Sequence, residues 1–97
     1  MGRVSTPLLS NEAVAQGLQT LDWERDGDEI VKTVTKKDFA GALGYVNRVG
    51  DLAEQKNHHP DIAISWNKVT LRLTTHSEGG LTQLDLDLAR AVDGLDG

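Results

Sequence analysis

The sequence has 97 residues, a formal net charge of −5 and no cysteine. A chain of this length predicts one domain over residues 1–97, with a core small enough that oligomerisation would add stability. The lack of cysteine excludes disulfides, thiolate metal sites and a cysteine nucleophile. Because no run of basic residues exceeds Lys36-Lys37, direct binding of nucleic acid is not expected. No apolar run reaches the length of a membrane span, and we expect a cytoplasmic protein.

The first third of the chain predicts a short helix followed by a β-hairpin. Ser10 has the character of an N-cap, and the apolar spacing after it predicts a helix from Asn11 to about Leu18. Two β-rich stretches follow, over residues 21–25 and 28–35. The Asp26-Gly27 pair between them predicts a type I′ turn, because that turn needs positive φ values that Gly accepts readily.

A long helix is predicted between Asp38, its N-cap, and about Lys56. It must end near the histidine pair, because Pro60 disfavours helical geometry at the residue before it. Three glycines within the helix predict close packing against a sheet or a partner subunit: Gly41, Gly44 and Gly50. The apolar residues at helical spacing predict its buried face: Phe39, Ala42, Leu43, Val46, Val49 and Ala53.

The last third predicts a second hairpin and a final helix. Ile62, Ile64 and Trp66 alternate with smaller residues in one strand, and Asn67-Lys68 is a plausible turn before a strand that contains Val69, Leu71 and Leu73. Thr82 to Asp85 fits a capping box that opens the last helix. The predicted apolar face of that helix is Leu81, Leu84, Leu88, Ala91 and Leu95. The order α-β-β-α-β-β-α predicts an α+β fold, a four-stranded antiparallel sheet with helices packed on one face.

All three histidines lie in one stretch that begins with Glu54 and closes with Asp85. Imidazoles exchange protons near neutral pH, so His58, His59 and His76 with carboxylates at both ends suggest acid–base chemistry. Each residue also has a structural interpretation. Glu54 fits a solvated helix end, a histidine of the pair fits a C-cap, Trp66 fits the core, and Asp85 fits the capping box.

A metal site is a further alternative, since three histidines and a glutamate could bind zinc. Adjacent histidines rarely bind one ion, and the sequence has no HxH or HxxxH pair. The sequence also lacks a Gly-x-Ser-x-Gly elbow and a glycine-rich phosphate loop. Acid–base catalysis without a metal is therefore favoured.

The spacing in this stretch resembles a known signature. The stretch reads Glu54, three residues, His58-His59-Pro60, five residues, Trp66, nine residues, His76, eight residues and Asp85. This order and spacing is similar to the signature of the pterin-4a-carbinolamine dehydratases. The similarity extends to Lys37-Asp38-Phe39, Thr75-His76 and Gly80-Leu81-Thr82, and covers roughly residues 10–95. The sequence departs from the family at Val34-Thr35-Lys36, where many members carry a Phe-x-Phe pattern.

The resemblance implies an activity, the dehydration of 4a-hydroxytetrahydrobiopterin to quinonoid dihydropterin and water. It implies catalytic histidines at His58, His59 and His76, with His58 and His76 as the acid–base pair. Substrate binding is implied for His59 and for the remaining signature residues: Glu54, Trp66 and Asp85. The pterin is the substrate, and neither a metal nor another cofactor is implied.

The same resemblance implies partners. It suggests a homodimer or homotetramer, and an aromatic amino acid hydroxylase whose tetrahydropterin is recycled in the same pathway. An alternative function on the same fold is a non-catalytic interaction protein, either a dimerisation cofactor or an enzyme assembly factor. The complete signature favours the enzyme.

Overall fold

The computed structural model describes residues 6–95. It confirms the predicted order of helices and strands. The elements are α1 (Asn11–Leu18), β1 (Glu24–Asp26), β2 (Glu29–Thr35), α2 (Phe39–Lys56), β3 (Asp61–Ser65), β4 (Lys68–Leu73), a 3-10 helix (His76–Glu78) and α3 (Gln83–Asp93). Ser10, Asp38 and Thr82 accept hydrogen bonds from backbone N–H groups at the starts of α1, α2 and α3, as N-caps do.

The strands form one antiparallel sheet in the order β1-β2-β4-β3. Successive residues of a strand point to opposite faces, so β4 shows which face is covered. Val69, Leu71 and Leu73 are completely buried, whereas Thr70 and Arg72 between them are only partly buried. The helices therefore pack on the face that carries the three apolar side chains, and the predicted α+β architecture is confirmed.

The core lies between this face of the sheet and the helices. α1 contributes Val14, and α2 contributes four buried residues. The largest apolar side chains with essentially no exposed surface are Val14, Ile30, Val49, Val69, Leu71, Leu73, Leu88 and Val92.

The first hairpin turn is shifted by one residue from the predicted position. Asp26 pairs with Glu29, so the two-residue loop is Gly27-Asp28. Gly27 has a φ of 63°, and Asp28 is not among the residues with positive φ. Positive φ at only the first loop residue is typical of a type II′ turn, so the predicted type I′ turn is wrong.

The second hairpin turn is also displaced. Ser65 pairs with Lys68, which makes Trp66-Asn67 the loop and gives Trp66 a φ of 55°. The predicted Asn67-Lys68 turn is therefore wrong. The loop is anchored to Lys36, whose N–H donates to the Asn67 carbonyl (2.8 Å) and whose carbonyl accepts from Asn67 Nδ2 (2.9 Å).

The buried face of α2 differs from the predicted one. Phe39 and Leu43 are 44% and 43% exposed, and Tyr45 is buried instead at 2%. An added Cβ at Gly50 would meet nothing within 4 Å. At Gly44 it would meet only an Arg48 nitrogen at 3.7 Å. Gly44 and Gly50 therefore do not pack closely against this chain's own sheet, and the alternative, packing against a partner subunit, stays a prediction.

The inner face of α3 is rotated from the predicted one because it includes a buried carboxylate. Asp85, Leu88, Ala89 and Val92 are buried at helical spacing, and Leu86 is buried beside them. Leu84, which was predicted to be buried, is 37% exposed.

Candidate active site

The end of α2 sets the positions of the two adjacent histidines. Asn57 adopts a left-handed conformation (φ 51°, ψ 41°). The His58 N–H donates to the Ala53 carbonyl (3.1 Å) and the Asn57 N–H to the Glu54 carbonyl (3.3 Å). This pair of bonds is a Schellman motif, in which asparagine tolerates the left-handed position. The histidines consequently lie in the short connection between α2 and β3.

His58 is held by a buried carboxylate. Its Nε2 lies 2.6 Å from Asp85 Oδ1, and the two side chains are 12% and 0% exposed. The local fold explains the contact, because the first turn of α3 turns Asp85 inward, toward the end of α2. Asp85 forms the capping box with Thr82 and also contacts His58. The sequence suggested that Asp85 is either a capping-box residue or part of the histidine site, and these contacts are compatible with both.

Two threonines complete the hydrogen bonds of Asp85. Its Oδ2 accepts from the Thr75 hydroxyl (2.8 Å) and from the Thr82 N–H (2.9 Å). The hydroxyls of Thr75 and Thr82 lie 2.8 Å apart. Because Thr75 uses its single proton toward Asp85, Thr82 must donate to Thr75. Every buried partner of the carboxylate is therefore a donor.

This arrangement fixes the orientation of the His58 ring and its neutral tautomer. A carboxylate only accepts hydrogen bonds, so His58 Nε2 carries the proton that faces Asp85. In the neutral ring Nδ1 is then left with a lone pair, and among residues 6–95 no hydrogen bond is made by that atom. The free nitrogen of His58 can accept a proton and then return it.

His59 pairs with a different carboxylate in a more open environment. Its Nε2 lies 2.6 Å from Glu54 Oε2, and the side chains are 55% and 78% exposed. The pair joins the connection to the last turn of α2. Because both groups are hydrated, the bond orients the ring and adds little stability.

The two histidines line separate hollows at the end of α2. His58 lines one of about 330 Å³ with Leu84 and Asp87 of α3. His59 lines one of about 360 Å³ with Glu54 and Ile62. Adjacent residues of an irregular segment commonly point in different directions, and the pair does so here.

His76 is exposed at the first position of the 3-10 helix. It follows Thr75 directly, and the Thr75 hydroxyl donates to Asp85. The hydrogen-bond network therefore joins the segment carrying His76 to His58 through Asp85.

Trp66 does not join the histidines within one chain. It lies in the turn at the far end of β3, roughly 20 Å from Pro60 at the strand's rise per residue. The side chain is 66% exposed, so its predicted places in a strand and in the core are wrong. Leu84 supplies apolar surface in the hollow beside His58.

Thr75 and Thr82 belong to the network, although the sequence pattern did not predict that they orient a histidine. One sequence signal pointed to them. Asp85 falls on the same helical stripe as Leu88, Ala89 and Val92, and a buried aspartate requires donors. The threonines on either side of Gly79-Gly80 are the nearest residues in the sequence that could be those donors.

Residues 6–95 contain neither a metal-binding cluster nor a membrane-spanning helix. Among residues 6–95, no three histidine, aspartate or glutamate side chains are grouped so that they could hold a metal ion. No helix in that range is long and apolar enough to cross a membrane.

Comparison with known proteins identifies the family. The sequence model of the family described as Pterin 4 alpha carbinolamine dehydratase matches residues 7–95. The chain belongs to the pterin-4a-carbinolamine dehydratase family. A protein of Nocardia farcinica named "Putative pterin-4-alpha-carbinolamine dehydratase" is 53% identical over 93 residues, which cover 95% of this chain and 98% of that protein. A protein of the same name from Thermosynechococcus vestitus is 53% identical over 73 residues, covering 75% and 77% of the two chains.

Solved structures extend the comparison of the dehydratase fold. A Brucella melitensis protein titled a transcriptional coactivator/pterin dehydratase is 32% identical, with a TM-score of 0.83 over 91% of this chain and 100% of that one. A pterin dehydratase-like protein identified as a RuBisCO assembly factor of the alpha-carboxysome has a TM-score of 0.63. It is 19% identical over 79% of this chain and 89% of that one, so this likeness concerns the fold alone.

Proposed function

We propose that this protein dehydrates 4a-hydroxytetrahydrobiopterin to quinonoid dihydropterin by histidine acid–base catalysis, and so recycles tetrahydropterin for aromatic amino acid hydroxylases. The observation that carries the proposal is the buried Asp85, which holds Nε2 of His58, a residue that lines an open hollow, and leaves Nδ1 without a hydrogen bond among residues 6–95. A general acid–base residue needs this combination of a fixed ring and an accessible nitrogen.

The reaction breaks the C4a–O bond, and the bonding electrons leave with oxygen. The departing oxygen takes up a proton to become water, and a pterin ring nitrogen loses a proton as the new double bond forms. Two proton-transfer groups suffice, and each typically contributes ~10²–10⁴ in rate. We assign them to His58, acting through Nδ1, and to His76.

The other signature residues have supporting roles in this proposal. His59, oriented by Glu54, binds the pterin, and Leu84 supplies apolar surface to the flat ring system. Thr75 and Thr82 act through Asp85 as positioning residues. Within one chain Trp66 is too far from His58 for a direct contact, so any role in substrate binding would require another copy of the chain. No step uses a metal, and turnover should survive exhaustive chelation.

The direct test is an assay in which the carbinolamine is generated enzymatically and its disappearance is followed against the uncatalysed rate. We expect acceleration by the protein and its loss in His58→Gln, whose amide can still donate to Asp85. Equal rates with and without the folded protein would remove the proposal.

A homo-oligomer is part of the same proposal. β3 is an edge strand, and all five of its residues are exposed. Ile62 and Ile64 are 36% and 37% exposed on the side of the sheet that faces the helices. An exposed edge with apolar side chains is suited to pairing with the same edge of a second copy.

Exposed apolar side chains support the second candidate function, an interaction or assembly protein. Exposed apolar side chains in a patch often mark protein-binding surfaces. Here they include Phe39, Leu43, Ile62, Ile64 and Trp66. A folded protein that binds another protein but leaves the carbinolamine rate unchanged would favour this alternative over the enzyme.

A further inference from the structure

A third hollow opens near the start of α2, away from the histidine pair. It is an open depression of about 470 Å³ and is larger than the hollows beside His58 and His59. Gly44 on its wall is ten residues before Glu54, which corresponds to roughly 15 Å along the helix axis. The hollow is therefore separate from the proposed dehydratase site.

All the charged residues that line this hollow are basic: Lys36, Lys37 and Arg48. Their clustering is notable in a chain with a net charge of −5. Among residues 6–95, none of the three forms an ion pair with a carboxylate. The neighbouring Asp38 instead accepts the Gly41 N–H at 2.7 Å as the N-cap of α2. A concave site lined by unneutralised cations concentrates positive potential.

Two of the cations lie over a buried aromatic ring. Lys36 Nζ lies 5.0 Å from the centre of the Tyr45 ring, and Arg48 Cζ lies 5.9 Å from it. Tyr45 is 2% exposed, and the backbone of Lys36 is bonded to Asn67. The Tyr45 ring therefore favours positions of Lys36 and Arg48 beside the hollow.

Two glycines keep the hollow open. A Cβ at Gly44 would meet only Arg48 Nη1 at 3.7 Å, so a side chain would fit there without a clash but would project beside the cations. A Cβ at Gly41 would lie 3.2 Å from Asp38 Oδ1, a tight contact, and 3.5 Å from the Lys36 Cβ. Gly44 is not needed for packing within this chain, and its effect is to leave space next to Arg48. Gly41 leaves space next to Lys36 and also keeps clear of the capping Asp38.

We propose that this hollow binds the phosphate group of a small molecule, of the phosphomonoester or phosphoanhydride class. Three cations around one space match a multiply charged anion, and the Arg48 guanidinium can form two parallel hydrogen bonds to phosphate oxygens. The volume is in the range of small-molecule sites. The proposal is independent of the dehydratase activity, because it uses none of the histidine-site residues.

The test is a titration with pyrophosphate, followed by amide chemical shifts. We expect saturable shifts at Gly41 and Gly44 and none at His58. Lys37→Gln and Arg48→Gln should each weaken binding by roughly three- to tenfold, as loss of one partly hydrated charge contact gives. Arg90→Gln is the matched control, since it removes the same charge from an exposed position on α3 that does not line the hollow.

Lys37→Gln keeps the test valid if another variant unfolds. Lys37 is exposed and forms no hydrogen bond or ion pair with the residues that the structure describes, so its loss should leave the fold unchanged. A parallel titration with citrate at equal ionic strength separates phosphate from carboxylate recognition. The proposal is overturned if no saturable shifts appear by about 10 mM pyrophosphate. It is also overturned if citrate binds as tightly, or if Arg90→Gln weakens binding as much as Lys37→Gln.

Discussion

His58 Nε2 lies 2.6 Å from an oxygen of Asp85, a side chain with no exposed surface. The other oxygen of Asp85 accepts the Thr82 N–H at 2.9 Å and so closes the capping box of α3. One carboxylate therefore helps to begin a helix and also orients an imidazole. Because the two contacts use different oxygens, substitutions can separate them.

The first prediction concerns proton transfer. We expect His58→Gln and His76→Ala each to lower kcat by at least about tenfold, the lower end of an acid–base contribution. Gln at position 58 can still donate to Asp85, so the buried carboxylate keeps its partner. His76 is exposed and makes no side-chain hydrogen bond within residues 6–95, so Ala there should not affect stability.

His58→Ala serves as the contrast to His58→Gln. It leaves one oxygen of the buried Asp85 without its donor, and we expect the free energy of unfolding to fall by about 1–3 kcal/mol. Urea unfolding and steady-state kinetics on the same preparations provide both measurements. Normal turnover in a folded His58→Gln or His76→Ala variant would refute the role of that histidine.

The second prediction concerns substrate binding by His59. We expect His59→Ala to raise KM several-fold while kcat changes less. The reason is that losing a contact made equally to the bound substrate and to the transition state raises KM and leaves kcat unchanged. The ion pair with Glu54 is exposed, so its loss should change the free energy of unfolding by less than about 1 kcal/mol. Glu54→Gln is the companion variant and should give a smaller rise in KM. An unchanged KM in His59→Ala contradicts the assignment.

Much of the fold could be predicted because local signals agreed with one another. Ser10, Asp38 and Thr82 cap α1, α2 and α3, as their side-chain chemistry indicates. Pro60 follows the end of α2, where the preceding residue cannot continue a helix. The alternation in β4 identified its buried face because that strand lies inside the sheet.

The errors arose where tertiary contacts decide between local alternatives. Trp66 continues the alternation of β3, but the bonds between Asn67 and Lys36 place the turn one residue earlier. Leu84 fits an apolar stripe of α3, yet the donors around Asp85 turn a different face inward. The His58–Asp85 contact joins residues 27 apart in sequence. No local pattern predicts such a contact, although the family resemblance placed both residues at one site.

The third prediction concerns the exposed edge of the sheet. We expect a homo-oligomer in light scattering at micromolar concentration, and conversion to a monomer by Ile64→Glu. Charge on an apolar edge opposes pairing with a second copy. Ala63→Glu is the matched control, because it is adjacent on the same strand and projects from the opposite face. A wild-type monomer, or equal dissociation by both variants, would count against pairing through the face of Ile64.

The fourth prediction concerns alkaline pH. Burial, together with Asp93 and Asp22, raises the pKa of Tyr45 above its ordinary value of 10.0, although Arg48 opposes the shift. Above about pH 10 the unfolded chain loses this proton before the folded one, so the folded state binds more protons and its stability falls as pH rises. Tyr45→Phe should remove the part of the pH dependence of stability that comes from this proton. Urea unfolding of both proteins between about pH 8 and pH 11 should show a difference that changes with pH, whereas parallel stability curves would contradict the prediction.

The last prediction separates the two roles of Asp85. In Asp85→Asn the amide oxygen can still accept from Thr82 and Thr75, and the NH₂ group then faces His58 Nε2. His58 would have to accept at Nε2 and carry its proton on Nδ1, the reverse of the wild-type neutral tautomer. We expect kcat to fall by about tenfold or more while the capping box is retained. The tautomer change is measurable by NMR from the chemical shifts of the imidazole nitrogens of His58.

Asp85→Ala is the control, because it removes both functions together. The cap alone contributes about 0.5–2 kcal/mol, and the unpaired buried donors of Thr75 and Thr82 add to the loss. Asp85→Asn should remain within about 1 kcal/mol of wild type in urea unfolding, whereas Asp85→Ala should not. If the Asn variant unfolds early but turns over at the normal rate, Asp85 acts only as a helix cap, and the orientation of His58 does not depend on its charge.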